Sequence, residues 1–424
     1  MGIRVLVVGA GGREHAITWK LARSQRVDSI ICAPGNPGMA AIAECFPVQP
    51  MDMTGICDLA QRENVDLVVV GPEDPLAAGL ADALIEAGIP VAGPTAAAAR
   101  IEASKSFAKE IMAAAGVPTA RAITVTNRED GVTAIREIGG DGPVVVKADG
   151  LAAGKGVVVA KSADEAIATL DAFMIDRAMG DAGVSVLIEE CMEGPEVSIL
   201  SLTDGITIYP LAPSCDYKRA YNNDEGPNTG GMGAYTPTRL VDDAMSDEIR
   251  QTILQPVIDE MARRGTPMRG VLYAGLMLTQ DGPKVVEFNC RFGDPETQVV
   301  LPTMEGDLGE LLEAVANGTL ADVQPPTSSG AAVGVILASG GYPGAYPKGL
   351  PISGLDHPHD NILVFQAGTD FGTNGETVTS GGRVLTVVGL GESIAEARFR
   401  AYSAADGIMF DGVMYRDDIA LREA

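Results

Sequence analysis

The chain is short of positive charge: 31 Lys and Arg stand against 57 Asp and Glu over 424 residues, a net charge of −26. That balance argues against nucleic acid as the partner, because phosphate backbones are held by surplus Lys and Arg. An acidic chain still binds a nucleotide through a few placed lysines and a metal. Also missing is any uninterrupted apolar run of ~18 residues. Met1 to Lys20 carries charges and glycines where a secretory leader would be apolar, so no membrane partner and a cytoplasmic location are expected. The six cysteines show no C-x-x-C spacing, and the three histidines include one close pair, His357-Pro-His359. This argues against a structural zinc site and against a disulfide framework. Cys215 and Cys290 lie in motif-like stretches, but no histidine is near either in sequence to activate a thiol.

Hydrophobic residues, at 46%, suffice for substantial cores, and the length predicts two to four domains at ~100 to 200 residues each. The strongest signal is Val144-Val-Val-Lys147-Ala-Asp149-Gly150-Leu-Ala-Ala-Gly154-Lys155-Gly156-Val-Val-Val159. A Walker A loop needs four residues between its glycines and opens a helix. Here three residues separate Gly150 from Gly154, and β-branched runs flank the loop on both sides, which predicts the tip of a hairpin. Glycines let backbone N–H groups approach phosphate oxygens, and Lys147 inside the strand supplies a fixed charge. The plain alternative is a glycine-rich hairpin with solvated lysines. A second segment, Val285-Val-Glu287-Phe-Asn289-Cys-Arg291, favours the phosphate reading. Glu287 and Asn289 are two apart, so in a strand both point the same way, with Phe288 toward a core. A carboxylate beside an amide oxygen suits magnesium, which keeps its other positions for water and phosphates. Arg291 is expected to continue that face.

The first ~100 residues alternate strand-like runs (Arg4 to Gly9, Ser29 to Ala33, Leu67 to Gly71, Pro90 to Ala92) with helical patterns (Glu14 to Arg23, Leu76 to Ala87). Alternation of this kind predicts a doubly wound parallel sheet. Its opening, Gly9-Ala-Gly11-Gly12-Arg13-Glu14, is close to a dinucleotide fingerprint but places Glu14 at the third glycine. The second strand then ends in Ala33-Pro34-Gly35 with no ribose-binding acid. A helix N-terminus behind Gly11 and Gly12 can instead hold a single phosphate with help from Arg13, or be a plain tight turn. Glu73 and Asp74 follow a strand, at the carboxyl edge where open α/β sheets bind ligands; Asp74 can equally cap the helix that Pro75 begins.

Further on, Val186-Leu-Ile-Glu189-Glu190-Cys191 is an apolar strand ending in acids. The stretch Ser214 to Gly233, containing Asp216, Lys218 and paired glycines, is a long polar loop of the kind that contacts substrate. Beyond ~330, short strands (Ala331 to Ser339, Asn361 to Gln366, Arg383 to Leu390) predict a small cap.

Taken in order, Val8 to His15, Pro34-Gly-Asn36-Pro-Gly38, Gly71 to Pro75, Lys147 to Gly156, Ser214 to Tyr235, Glu287 to Thr297 and Gly340 to Pro347 resemble the glycinamide ribonucleotide synthetases (phosphoribosylamine-glycine ligases) of the ATP-grasp superfamily. The resemblance runs from Val5 to about Gly391. It implies an α/β protein in three parts: an N-terminal doubly wound parallel sheet (1-103), a central ATP-grasp α+β domain (104-328) with a mobile flap subdomain at about 125-191, and a small C-terminal α+β domain (329-424). It further implies ligation of glycine to 5-phosphoribosylamine at the expense of ATP, through a glycyl phosphate, in purine synthesis.

On that pattern Lys105, Lys147, Gly150, Gly154, Lys155 and Gly156 would meet the phosphates, with Glu189, Cys191 through its backbone, and Glu196 at the adenosine. Glu287 and Asn289 would hold Mg²⁺ or Mn²⁺. Arg291, Lys218 and Asp216 would serve the reacting groups, and Gly11, Gly12, Arg13, Glu14, Asn36, Glu73 and Asp74 the other substrates. Transient contact with neighbouring purine-pathway enzymes is a further expectation. The strand before Glu287, Tyr273-Ala-Gly-Leu-Met277, lacks the additional acidic metal ligand of many ATP-grasp enzymes. Three rival readings make separate predictions. A related carboxylate-amine ligase would differ around Asp216 to Gly233. A dehydrogenase would bind its cofactor at residues 9 to 35. A non-catalytic nucleotide-binding module would lack Glu287 or Lys147.

Overall fold

The computed structural model describes residues 2–152, 156–355 and 361–424. Its first section is a five-stranded parallel sheet in the order Glu44–Cys45, Val27–Pro34, Ile3–Gly9, Leu67–Val70, Val91–Ala92. The inner strands are continuous apolar runs because helices cover both faces. The order reverses beside Ile3–Gly9, so the carboxyl ends of that strand and of Leu67–Val70 open a crevice between Gly11 and Glu73. The helix expected over 76–87 is two helices, Glu73–Ala77 and Leu80–Glu86, parted at Gly79, whose φ of +95° suits glycine. Glu73 and Asp74 therefore sit in a first helical turn, with Pro72 and not Asp74 at the cap.

Two antiparallel four-stranded sheets follow. One runs Ala122–Val125, Val186–Glu190, Val144–Ala148, Val157–Ala160, and the helices Arg128–Gly139 and Ala163–Met174 pack on it around a core of its own. Val144, Val146 and Ala148 fill that core, so by alternation Lys147 faces the other way. The second sheet runs Ile208–Pro210, Glu196–Thr203, Gly270–Thr279, Gly282–Asn289. A cleft lies between the two sheets, bridged where Lys147 Nζ donates to the Val286 carbonyl at 3.0 Å.

The last sheet crosses the boundary expected at 328/329. Its order is Cys215–Asp216, Gly233–Thr236, Ala331–Ala338, Arg383–Gly391, Ile362–Gln366, with the helix Ile394–Ala405 against it. Two of its strands thus come from the polar loop, because the fully buried run Ala331–Ala338 needs a neighbour on each side and Gly233–Thr236 supplies one. No described helix is long and apolar enough to cross a membrane.

Candidate active site

The cleft is lined by cations around one carboxylate. Glu287 and Asn289 leave the same strand toward it, opposite Gly275 and Tyr273. A side chain at Gly275 would press on the Glu287 methylene at 3.3 Å, so glycine at that position leaves Glu287 its room. Burial alone would raise the pKa of Glu287, but Lys218, Lys147, Lys105 and Arg291 outweigh it and hold the group below its ordinary value. Among the described residues no hydrogen bond ends on the side chains of Glu287 or Asn289, and no cluster of three or more His, Cys, Asp or Glu gathers elsewhere as a metal site. A free carboxylate and a free amide on one face fit a hard divalent cation that takes its remaining ligands from water and phosphate.

The lysines are placed from both sheets. Lys105, first residue of the helix Lys105–Ala115, donates to the carbonyls of Ala148 and Gly150 at 2.8 and 3.0 Å, and burial lowers its pKa. Asp149 seals the same corner by accepting from the Ser106 N–H at 2.7 Å and the Ser106 hydroxyl at 2.6 Å. Side chains at Gly150 or Gly156 would collide with Ala182 or Ala152, which keeps both as glycine. Gly154 and Lys155 lie outside the described residues, as do His357 and His359.

Two acids expected at the adenosine are already paired. Glu189, 3% exposed, holds Lys147 at 2.7 Å and Lys109 at 3.0 Å. Glu196 holds Lys218 at 2.5 Å. Glu196, with 42% of its side chain exposed and Lys218 on one oxygen, keeps its other oxygen for a ribose hydroxyl, whereas Glu189 has a lysine on each oxygen. Lys109 escaped the sequence reading because nothing in its helix marks it. Cys191 is half-buried just beyond the strand.

Asp216 and Lys218 flank the cleft floor. Burial, with Glu296, Glu196 and Glu287 adding and Lys218 opposing, pushes the Asp216 carboxyl up to about 7, while Asp216 and Glu196 overcome burial to hold Lys218 protonated. Behind them Glu296 is buried at 3% exposure beside Ser198 and Tyr273, whose hydroxyls are 2.8 Å apart.

On the other flank the strand stops at Asn289, so Arg291 does not continue the face of Glu287 and Asn289 as expected. Its guanidinium still reaches the site, clamped by Glu102 at 2.8 Å and Glu73 at 3.1 Å. Glu102 was invisible in sequence. The fingerprint residues turn inward. Arg13 donates to the Phe292 carbonyl at 3.2 Å and lies 3.8 Å from Glu73; Glu14 accepts from the Gly11 N–H at 2.6 Å and from Arg13. Any side chain at Gly9 or Gly71 would strike the Glu14 carboxyl group, so those glycines form its seat. Asn36, expected to touch substrate, spends both amide hydrogens on the carbonyls of Ala10 and Gln366 at 2.8 Å each, and its oxygen caps the turn at Met39. Asp74 is exposed and no described side chain of the cleft bonds it. The thiols of Cys215 and Cys290 are buried, and burial raises both pKa values, which removes them as nucleophiles.

Arg383, read earlier only as part of a strand, ties three sections together. It pairs with Asp294 at 3.1 Å and donates to the Asp294 and Gly230 carbonyls. Gln298, 1% exposed, holds the other side of Asp294 at 2.7 Å and packs where Gly12 has no side chain.

A flap sheet closing on a second sheet, with lysines on one wall and an acid-amide pair on the other, defines an ATP-grasp enzyme. Sequence profiles of phosphoribosylglycinamide synthetase match residues 3–102 (N domain), 103–297 (ATP-grasp, or A, domain) and 332–422 (C domain). The chain belongs to the phosphoribosylglycinamide synthetase family. It is similar, at 50% identity over the whole of both chains, to a phosphoribosylamine–glycine ligase of Streptomyces coelicolor. It is 48% identical along its full length to the trifunctional purine biosynthetic protein adenosine-3 of Gallus gallus, of which it spans 42%. The crystal structure of phosphoribosylamine–glycine ligase from Thermotoga maritima, 33% identical, superposes with a TM-score of 0.85 over 99% of this chain and all of that one.

Proposed function

We propose that the cleft joins glycine to 5-phosphoribosylamine through a glycyl phosphate, giving glycinamide ribonucleotide, ADP and phosphate. The overall reaction, an ATP-dependent ligation of purine biosynthesis, is that of the family to which the chain belongs. One observation carries the site reading: Glu287, which with Asn289 on the same strand bonds no other side chain among the described residues, feels Lys105, Lys147, Lys218 and Arg291 together.

In the first step a glycine carboxylate oxygen attacks the γ-phosphorus and ADP leaves. In the second the amine attacks the acyl carbon and phosphate leaves. A carboxylate is already a nucleophile at neutral pH, so the work is placement and charge neutralisation. Lys105 and Lys147 meet the phosphates beneath the hairpin of Gly150 and Gly156, and the Cys191 backbone faces the adenine. Glu287 and Asn289 would hold Mg²⁺ or Mn²⁺, which when bound supplies charge neutralisation at the phosphates. Arg291 receives the glycine carboxylate and the acyl phosphate beside Asp216 and Lys218. Gly11, Gly12, Arg13 and Glu73 form the sugar-phosphate side, with Glu14 shaping it from behind. Excluding water protects the acyl phosphate, a role that fits a hairpin lid. Contact with other enzymes of the pathway belongs to the same proposal.

The test measures ADP release with each component omitted in turn, forming phosphoribosylamine in situ from ribose 5-phosphate and ammonia. Dependence on both glycine and the sugar amine is expected; release indifferent to glycine points to another carboxylate. Glycine carrying ¹⁸O in its carboxylate should deliver one labelled oxygen to inorganic phosphate, and unlabelled phosphate would rule out the acyl phosphate.

A further inference from the structure

Beneath the polar loop lies a buried cation that the reaction as described does not use. Arg416, near the end of the chain, is 1% exposed. Its Nε and Nη2 each donate to the Asp418 carboxylate at 2.7 Å, Nη2 also pairs with Asp224 at 3.0 Å, and Nη1 donates to the Arg219 carbonyl at 3.1 Å. Its guanidinium carbon lies 4.7 Å from the centre of the Tyr217 ring. The Tyr217 hydroxyl accepts from the Ala420 N–H at 2.9 Å. Asn222 and Asp417 exchange two hydrogen bonds, and the Asn223 N–H donates to Asp418. Residues 416 to 420 therefore grip residues 217 to 224 from below.

Tyr217 stands between Asp216 and Lys218. The chain there is extended, with the Tyr217 N–H donating to Gly233 and its carbonyl accepting from Met232. Successive side chains of extended backbone take opposite sides. Asp216 and Lys218 therefore look into the cleft, toward Glu196 and Glu287, while Tyr217 points down onto Arg416. We infer that Arg416 is a positioning residue for the ligation, holding Asp216 and Lys218 at the reacting groups by seating Tyr217. Arginine suits the role because its planar fork meets two carboxylates and a carbonyl while stacking on a ring, which a lysine cannot do. The nucleotide wall rests on other sheets, so the effect is confined to the ligation side.

This inference rests on the proposed roles of Asp216 and Lys218. The experiment compares kcat and each KM for Arg416→Met, Arg416→Lys, Tyr217→Phe and Arg422→Ala, alongside Asp216→Asn and Lys218→Met. The folded fraction of each is fixed by thermal melting. Displacement of reacting groups by ~1 Å costs on the order of 10²-fold, so Arg416→Met should lower kcat ~10- to 100-fold with the KM for ATP within ~2-fold. Arg416→Lys should recover part of that loss, and Tyr217→Phe should lose ~3-fold. Arg422, 84% exposed and 3.9 Å from the same Asp224, should be silent when replaced by alanine. Should Arg416→Met not fold, Arg416→Lys and Tyr217→Phe decide. Unchanged kcat in these two, or losses that only track the folded fraction, overturn the inference. Normal turnover in Asp216→Asn and Lys218→Met would instead remove the site reading beneath it.

Discussion

The two walls of the cleft are built differently. On the nucleotide wall Lys105, Lys147, Glu287 and Asn289 sit on a helix end and two strands; the two lysines lean on distant carbonyls, but the side chains of Glu287 and Asn289 bond no described neighbour. On the ligation wall nearly every polar group is held by a residue far off in sequence: Arg13 by Phe292, Glu73 by Arg291, Asn36 by Gln366, Asp224 by Arg416, Gly230 by Arg383. The first wall leaves side-chain oxygens free for a ligand. The second uses its own to lock three sections of the chain together, so its shape depends on the whole fold.

The sharpest way to break this contrast is to remove a free group from the first wall. Glu287→Ala should cut turnover by ~10³-fold or more while the chain still folds, with some loss of melting temperature because the acid offsets four nearby cations that outweigh its burial. Near-normal turnover at saturating magnesium would end its assignment. Arg291→Lys probes the second wall. A point charge cannot serve Glu73, Glu102 and a substrate carboxylate together, so a loss of ~10²-fold with a raised KM for glycine is expected, together with a measurable loss of stability. An unchanged KM for glycine would take Arg291 out of the glycine site.

A smaller effect separates the walls by pH. His15 is buried behind the fingerprint turn, where its Nδ1 accepts from the Gln366 N–H at 2.9 Å and its ring meets Phe365 edge-on. Burial pushes its pKa down to about 4 from 6.5. Between those values the unfolded chain binds a proton that the native chain refuses, so stability falls as pH falls, by about 2 kcal/mol from pH 7.5 to pH 5 for this group. Urea melts at the two pH values should show that increment in the parent and not in His15→Gln, which keeps an acceptor but does not titrate. Equal slopes would mean His15 is solvated.

The sequence exposed the first wall because its signals are short: alternation of period two put Glu287 beside Asn289, and the β-branched runs around the glycine loop marked Lys147 as a lysine inside a strand. The parallel sheet was legible for the same reason, its strands being unbroken runs such as Leu67 to Val70. Gly79 was missed as a break because a lone glycine inside a helical pattern is ordinarily tolerated. Glu102, Lys109, Arg383 and Arg416 were missed because each is an ordinary charged residue with a partner far off in sequence, and a single sequence records no such pairing. The joint sheet of residues 215–236 with 331–391 was hidden likewise, since nothing local to Gly233–Thr236 names Ala331–Ala338 as its neighbour.

Glu73 and Asp74 are adjacent in one motif and differ only in what they reach, which gives the finest test. Glu73 is held below its ordinary pKa because Arg291 and Arg13 outweigh its burial, whereas the Asp74 carboxylate faces solvent in the same helical turn. If the ligation wall is defined by long-range pairing and not by motif membership, Asp74→Ala should leave kcat and every KM within ~2-fold and stability within ~0.5 kcal/mol. Glu73→Ala should cost far more on both measures, because it takes one of the two carboxylates that clamp Arg291 and leaves Glu102 alone against it. A tenfold rise in the KM for the sugar amine in Asp74→Ala would show instead that the motif acts as a unit, with the helix end rotating so that its exposed acid meets substrate.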